Sequence, residues 1–185
     1  AMNLSLEKVK IYWKKTLGIL QIETPDSAIN ILTNGWLTYQ TISARLWGRS
    51  GFYQSGGAFG FRDQLQDVLS LLLCSPHLTR KQIILCASRL FEEGDVQHWW
   101  HPPTGHGVRT RCSDDYLWLP YATSVYLEQT EDYEILKEQI HFLEGRKLNA
   151  IEESYYDHPA ISGHTSTLYE HCVKSISHGL KFGVH

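Results

Sequence analysis

Apolar residues recur at intervals of three and four along most of this chain, and this helical period constrains its fold more than any other feature. In the first such stripe, Leu6, Val9, Trp13 and Leu17 share one face. Seven segments have this period, glycine-rich or short loops separate them, and no segment alternates convincingly like a strand. The pattern predicts an all-α fold built of helical hairpins. The predicted helices are 4–20, 24–49, 61–74, 79–90, 113–128, 131–143 and a last one from 166 or 167 to 180.

Composition and charge exclude several functional classes. A length of 185 residues with 42% hydrophobic residues suits one globular domain. The net charge is −3 and the basic residues are scattered, so neither nucleic acid nor an anionic membrane is an expected partner. The longest strongly apolar run, 68–74, is much shorter than the ~20 residues of a membrane span. Without a recognisable signal peptide, the sequence predicts a cytoplasmic location.

The four cysteines are widely spaced and form no CxxC pair. Cys74, Cys86 and Cys172 lie in apolar or helix-like surroundings, and Cys112 lies in a polar segment. Such usage favours buried, reduced thiols over disulfides or a zinc site.

Polar chemistry is concentrated in residues 94–115, which read GDVQHWWHPPTGHGVRTRCSDD. Glycines and prolines prevent this segment from forming one helix. Its paired tryptophans, Arg-x-Arg and Asp-Asp suit a polar ligand that also has flat apolar faces, because aromatic rings stack on the faces while charged groups bind the rim. Sugars fit this description. A second loop, 48–60, is glycine-rich and is expected to bring backbone close to a ligand.

Several of these residues also have purely structural interpretations. Asp114 and Asp115 stand at a helix start, where capping alone explains one carboxylate. Arg109 and Arg111 are equally typical of solvated surface charges. Adjacent tryptophans cannot share one side of a regular element, so one of Trp99 and Trp100 is expected in the core and the other as a stacking platform. A structural role and a ligand-binding role both stay open for Arg109, Arg111, Asp114, Asp115, Trp99 and Trp100. For Glu170 the structural alternative is a solvated helix position.

Two other site types receive little support. Arg62 and Asp63 follow the glycine-rich loop and begin a helix, but the Lys and Ser/Thr of a phosphate-binding P-loop are missing. Asp95, His98 and His101 have a spacing that can chelate a metal, but no HExxH motif or cysteine partner accompanies them. We therefore predict no metal and no cofactor.

Four motifs together resemble the catalytic domain of glycoside hydrolase family 94, which includes β-glucan and chitobiose phosphorylases. They are GFYQSGGAFGFRDQLQD at 51–67, EGDVQHWWHPPTGHGVRTRCSDDYLWLPYA at 93–122, FLEG at 142–145 and TLYEHC at 167–172. The resemblance runs from about residue 9 to residue 185. The opening YWKKTLGILQIETPD is most similar to the branch of cyclic β-1,2-glucan synthetases, in their C-terminal region, and β-1,2-oligoglucan phosphorylases.

The resemblance implies a toroid of six α-helical hairpins and an inverting phosphorolysis of β-glucan or another oligosaccharide. In that reaction inorganic phosphate attacks the anomeric carbon while one carboxylic acid protonates the glycosidic oxygen. By position, Arg109 and Asp115 match the family's pair that binds the transferred glycosyl unit, and Arg62 and Asp63 match a motif at the rim. Trp100 and Glu170 complete the predicted substrate-binding residues.

The chain departs from the family pattern at its end. The general acid's Asp-Trp-Asn-Asp motif and the phosphate-binding residues are not found in residues 1–185, so no catalytic residue is predicted and the chain alone is expected to be inactive. We predict one partial domain at 1–185, the N-terminal half of the toroid. Exposed apolar helix faces would then favour a homo-oligomer, and the parent protein is expected to be attached to the inner membrane. The alternative is a self-standing helical carbohydrate-binding or self-associating module without catalysis.

Overall fold

Helices and antiparallel sheets both contribute to the fold in the computed structural model, which describes residues 2–48 and 57–180. Of the described residues, 53% are helical and 18% lie in antiparallel sheets, of which there are two. The prediction of an all-α fold forming part of an α/α toroid is therefore wrong: this is a mixed class. Most of the predicted glycine-rich loop, 49–56, lies outside the described residues.

Six of the seven predicted helices are present, with shorter or interrupted bounds. The residues predicted as 24–49 form two short α-helices joined and followed by π-helical turns, Leu32–Trp36 and Thr41–Trp47. The 3₁₀ turn Asp115–Leu117 leads into the helix predicted at 113–128. The α-helices are α1 Met2–Leu17, α2 Ser27–Ile31, α3 Leu37–Gln40, α4 Phe61–Leu69, α5 Pro76–Ala87, α6 Trp118–Thr130 and α7 Leu168–Gly179.

The strands form two sheets. Four short strands pair antiparallel in the order β1, β2, β3, β5, and two longer strands, β4 and β6, form a second antiparallel sheet. Their bounds are β1 Phe59–Gly60, β2 Gln97–Trp100, β3 Gly107–Thr110, β4 Gln139–Glu144, β5 Ser154–Asp157 and β6 Ala160–Thr167.

The segment 131–143 was predicted as a helix, and this prediction is wrong. A 3₁₀ turn occupies Tyr133–Lys137, and β4 follows it. Ile140 and Phe142 are buried at the two-residue spacing of a strand, and a bulge then places Leu143 inside as well. Three apolar residues in four positions also fit a helical face, so the period alone did not separate the two structures.

The main core lies between α4, α5, α6 and α7 and the sheets. Phe61, Leu65, Ile83, Leu119 and Leu168 are fully buried in it. At roughly 1.5–3 kcal/mol for each large apolar side chain removed from water, this cluster is the principal stabilising feature of residues 57–180.

The N-terminal helices bury much less. Of the sixteen residues of α1, only Thr16 is buried, and the predicted stripe is half exposed or more at Leu6 and Val9. A small cluster of Ile42, Leu71 and Cys74 connects this region to the rest.

Two observations concern the membrane and the thiols. No helix in the described ranges has both the length and the apolar character needed to cross a bilayer. All four cysteines are free thiols. Three of them, Cys74, Cys86 and Cys172, are buried as predicted. Cys112 is exposed because it lies in the turn after β3.

Candidate functional site

The segment 94–115 folds into a hairpin of β2 and β3 rather than an open loop. Gln97 pairs with Arg109 and Trp99 with Val108, and a bulge lies between Gln97 and Trp99. The bulge leaves two consecutive side chains, His98 and Trp99, partly exposed between two buried ones. The hairpin therefore presents an imidazole and an indole on one side of the sheet.

Two glycines allow this segment to pack closely. Gly94 has a left-handed backbone (φ 98°), and a Cβ there would lie 2.7 Å from the carbonyl oxygen of Lys174 in α7. At Gly107 a Cβ would approach the carbonyl oxygen of Trp99 across the β2–β3 pair. Both positions therefore require glycine.

Asp115 stands at the centre of a small cavity, which we call the Asp115 cavity. Its volume is about 170 Å³, and its lining residues are Gly60, Phe61, Arg62, Asp63, His98, Trp99, Cys112 and Asp115. This volume is below the roughly 300–1,000 Å³ of typical small-molecule pockets, so it suits one ring rather than an oligosaccharide.

The carboxylate of Asp115 is 2% exposed, and its two oxygens differ. Oδ2 lies 2.5 Å from Nδ1 of His98. Oδ1 is buried and accepts no hydrogen bond from the described part of the chain. A buried carboxylate oxygen without a donor is costly, so a donor group that reached this atom would form a strongly favoured hydrogen bond.

Negative charge surrounds His98. The hydrogen bond with Asp115 raises the pKa of His98, and the nearby carboxylates of Asp63 and Asp114 raise it further. Cys112 donates a hydrogen bond to Asp114, and this bond lowers the pKa of the Asp114 carboxyl. The pKa of the Cys112 thiol is raised to about 11, mainly by desolvation and then by the neighbouring carboxylates.

Arg62 and Asp63 are among the residues that line this cavity. Nη1 of Arg62 donates to Asp114 at 2.9 Å, and its guanidinium lies 5.7 Å from the ring of Trp118. Asp63 lies in the first turn of α4, where a carboxylate is favoured by the helix dipole.

Arg109 lies in a different environment from Asp115. Nε and Nη2 donate to the two carboxylate oxygens of Asp95 at 2.7 and 2.6 Å, and Nη2 also donates to Glu93. Nη1 donates to the carbonyl oxygens of Gly145 and Arg146. These bonds occupy all five N–H donors of the guanidinium, which is 3% exposed. A ligand at Arg109 would have to replace one of these partners.

A larger cavity, which we call the Arg109 cavity, opens beside this network. It measures about 650 Å³ and is rich in charged residues. Asp115 is not among its lining residues, which are Glu92, Glu93, Asp95, Arg109, Thr110, Arg111, Tyr116, Lys147, Leu148 and His178. The structure thus brings Asp115, Arg62 and Asp63 together and leaves Arg109 in the second cavity.

The other two predicted residues have other surroundings. Trp100 is 1% exposed and packs edge-on against Phe59 in the core, while its neighbour Trp99 lines the Asp115 cavity. Glu170 forms a capping box with Thr167 at the start of α7, and its hydrogen bonds to Ser166 and then Thr167 lower its pKa to about 2. Glu170 lines neither cavity.

The metal-type spacing of Asp95, His98 and His101 is not realised. Asp95 pairs with Arg109, His98 faces Asp115, and His101 contacts the ring of Trp99. The contact between His98 and Asp115 was not predicted from the sequence, because no sequence pattern indicated the bulge at His98. The related sequence feature is the pair of adjacent tryptophans followed, later in the same segment, by Asp-Asp.

The sequence matches a known enzyme family over nearly all its length. Residues 12–185 match the catalytic domain of the glycosyl hydrolase 94 superfamily. Similar proteins include a cyclic β-(1,2)-glucan synthase of Rhizobium meliloti, 45% identical over 93% of this chain and 6% of that protein. An N,N'-diacetylchitobiose phosphorylase of Vibrio proteolyticus is 26% identical over 81% of this chain and 22% of its own length. A solabiose phosphorylase of Paenibacillus borealis is 29% identical over 68% of this chain and 15% of its own length.

These relatives are much longer than the chain, which spans 6% to 22% of their length. The family resemblance inferred from the four sequence motifs is confirmed, and with it the assignment to a carbohydrate-active enzyme. The chain belongs to the glycosyl hydrolase 94 superfamily, whose catalytic-domain model matches its residues 12–185.

Proposed function

We propose that this chain contributes a glycosyl-binding subsite to a β-glucan-active enzyme and that Asp115 is the main acceptor for the sugar hydroxyls. The observation that carries the proposal is the buried, unpartnered Oδ1 of Asp115 in a ring-sized cavity. Trp99 supplies an indole at the same cavity, on which the apolar face of a sugar can stack. The relatives' names, a β-glucan synthase and two disaccharide phosphorylases, support a glycoside as the ligand.

The reaction of the whole enzyme is proposed to be glycosyl transfer to or from inorganic phosphate, or trimming of β-1,2-glucan. In this arrangement the present residues orient the sugar, and the general acid comes from elsewhere in the enzyme. A charged hydrogen bond between Asp115 and a ring hydroxyl orients the anomeric carbon and can strengthen as charge develops there.

Arg109 stays a predicted sugar-binding residue by resemblance, with a second role as a positioning residue. Its hydrogen bonds tie Asp95 to the backbone at Gly145 and Arg146. By fixing β3, this network holds the turn that leads to Asp115. Trp100 and Glu170, by contrast, would affect binding only through the core and the start of α7.

Binding of β-1,2-linked glucose disaccharide, followed by isothermal titration calorimetry or NMR, tests the proposal. Asp115→Asn should weaken binding roughly tenfold to a hundredfold, since a hydrogen bond to a charged group contributes about 1.5–3 kcal/mol. Asp114→Asn is the matched control: it is the adjacent carboxylate but pairs with Arg62 and is not in the lining of the cavity. Equal binding by the wild type and Asp115→Asn would contradict the proposal.

We further propose that the chain self-associates through its N-terminal helices. The apolar side chains of Leu4, Leu6, Ile11 and Trp36 are each more than half exposed, an unusual amount for helices that stay in water. Light scattering tests this, and a monomer at micromolar concentration would contradict it.

Three further expectations remain predictions: the chain as one partial domain, its cytoplasmic location and the membrane attachment of its parent. Sequencing of the complete gene and fractionation of the cells that express it would test them.

A further inference from the structure

Three side chains with metal-binding atoms meet at the Asp115 cavity, and they are not the three that the sequence spacing suggested. A ring nitrogen of His98, Sγ of Cys112 and a carboxylate oxygen of Asp115 all lie within 4.8 Å of one another. They come from three places: the bulge in β2, the turn after β3 and the 3₁₀ turn before α6. The fold, rather than a local motif, brings them together.

The donor set suits a borderline cation. Imidazole nitrogen and thiolate sulfur are ligands that Zn²⁺ prefers, and a carboxylate oxygen is an ordinary third ligand. Protein–zinc distances are about 2.0–2.3 Å, so the observed spacing needs only small side-chain rotations to place all three atoms on one ion. His98 and Cys112 are partly exposed or exposed, which leaves them free to make that adjustment.

Asp115 supplies an observation independent of this spacing. Its side chain is 2% exposed, and its Oδ1 has no donor among the described residues. Asp115 lines the same cavity as His98 and Cys112. A cation satisfies a buried carboxylate more completely than a neutral ligand does. Asp63 and Asp114 add negative charge nearby, and Arg62 offsets part of it through its pair with Asp114.

We propose that His98, Cys112 and Asp115 form a binding site for a borderline divalent cation such as Zn²⁺, with a fourth position open to the cavity. Binding displaces the proton of the Cys112 thiol to solvent, and no electron is transferred. Because the cation and a sugar both need the Asp115 carboxylate, an occupied site excludes the sugar. This competition rests on the proposed function, whereas binding of the cation does not.

Titration of the metal-free chain with CoCl₂ and with ZnCl₂ tests the site. Co²⁺ should bind once per chain and give a near-ultraviolet thiolate-to-cobalt absorption band, and calorimetry with Zn²⁺ should give the same stoichiometry. In Cys112→Ser the band should disappear and Zn²⁺ affinity should fall at least the roughly 10–100-fold that loss of even an outer partner causes. A missing band in the wild type would overturn the proposal.

A matched pair of histidine variants separates this set from the one suggested by spacing. His98→Ala should lose Zn²⁺ binding, and His101→Ala should keep it, because the ring of His101 contacts Trp99 and Tyr156 instead. Unchanged binding in His98→Ala and Cys112→Ser would show that surface carboxylates hold the metal and would overturn the site. Circular dichroism verifies that each variant is folded.

Sugar binding is measured separately, in the presence of a chelator. If the wild type binds the disaccharide with the chelator present and gives the cobalt band without it, the sugar subsite and the cation site both stand. If no chain binds sugar but the cobalt band is present, the proposed function fails and the cation site remains. Zn²⁺ that binds without weakening the sugar would overturn the exclusion.

Discussion

The N-terminal helices, in residues 2–48, and the rest of the described chain, residues 57–180, which we call the body, have the same helical spacing of apolar residues. Only the body buries most of these side chains. Leu6 in α1 is 52% exposed, while Leu65 in α4 is fully buried. Both residues lie on the apolar stripe of an amphipathic helix. The comparison teaches that hydrophobic period predicts a helix and the face it will bury, but not the surface that covers that face.

The largest expected effect compares these two leucines directly. Leu65→Ala should lower the free energy of unfolding by about 2–5 kcal/mol because it leaves a cavity in a packed core. At protein concentrations low enough for a monomer, Leu6→Ala should change it by less than about 0.5 kcal/mol, the usual value for exposed positions. Urea denaturation followed by circular dichroism measures both. A large loss in Leu6→Ala that depends on protein concentration would mean that α1 is buried between copies.

A smaller effect is expected from a pair of glycines within the body. Gly94→Ala should cost more than about 1 kcal/mol because its backbone is left-handed and its Cβ would press on α7. Gly163→Ala in β6 meets open space and should be close to neutral. The difference between the urea midpoints of the two variants measures how tightly the backbone at Gly94 packs against α7. Equal stabilities would contradict the close approach of residue 94 to α7.

Helix caps in the two regions offer the next comparison. Thr167 accepts a hydrogen bond from the N–H of Glu170 in α7, and Asp26 accepts one from Ala28 in α2. Thr167→Ala should cost about 1 kcal/mol of global stability. Asp26→Ala should mainly increase local opening, visible as faster amide exchange in 27–31, with little change in global unfolding. Similar global losses would show that both regions unfold as one unit.

The smallest effect concerns the contact between the regions. Nε of Arg45 donates to Asp67 at 2.6 Å, and the arginine side chain is 44% exposed. Arg45→Gln should therefore cost about 0.2–1 kcal/mol, and added salt should reduce the difference. Thermal unfolding at low and high ionic strength measures it. A loss that salt does not alter would indicate packing of the arginine stem rather than charge.

The sequence was informative where local chemistry decides the structure. The apolar periods located six helices, and the last of them, expected to begin at Ser166 or Thr167, has Thr167 as its cap. The fourth helix begins at Pro76 and not at Thr79, where its cap was expected. It was uninformative where partners distant in the chain decide. Gly107–Thr110 becomes a strand because it pairs with β2 and β5, and four residues are too few to show a period.

The site shows the same division. Asp115 was predicted to bind sugar because of its position in the family resemblance, and the structure places it with Arg62 and Asp63 at one cavity. The five hydrogen bonds of Arg109 go to four residues in 93–95 and 145–146, so the sequence next to Arg109 does not show that all its donors are used. The tryptophan that reaches the cavity, Trp99, depends on the bulge in β2.

The two cavities also differ in how much of the chain supplies their lining. The described lining residues of the Asp115 cavity all lie between Gly60 and Asp115, whereas the Arg109 cavity also needs Lys147 and His178. A truncation after α6 would therefore remove side chains from the lining of the Arg109 cavity but none of the described side chains that line the Asp115 cavity.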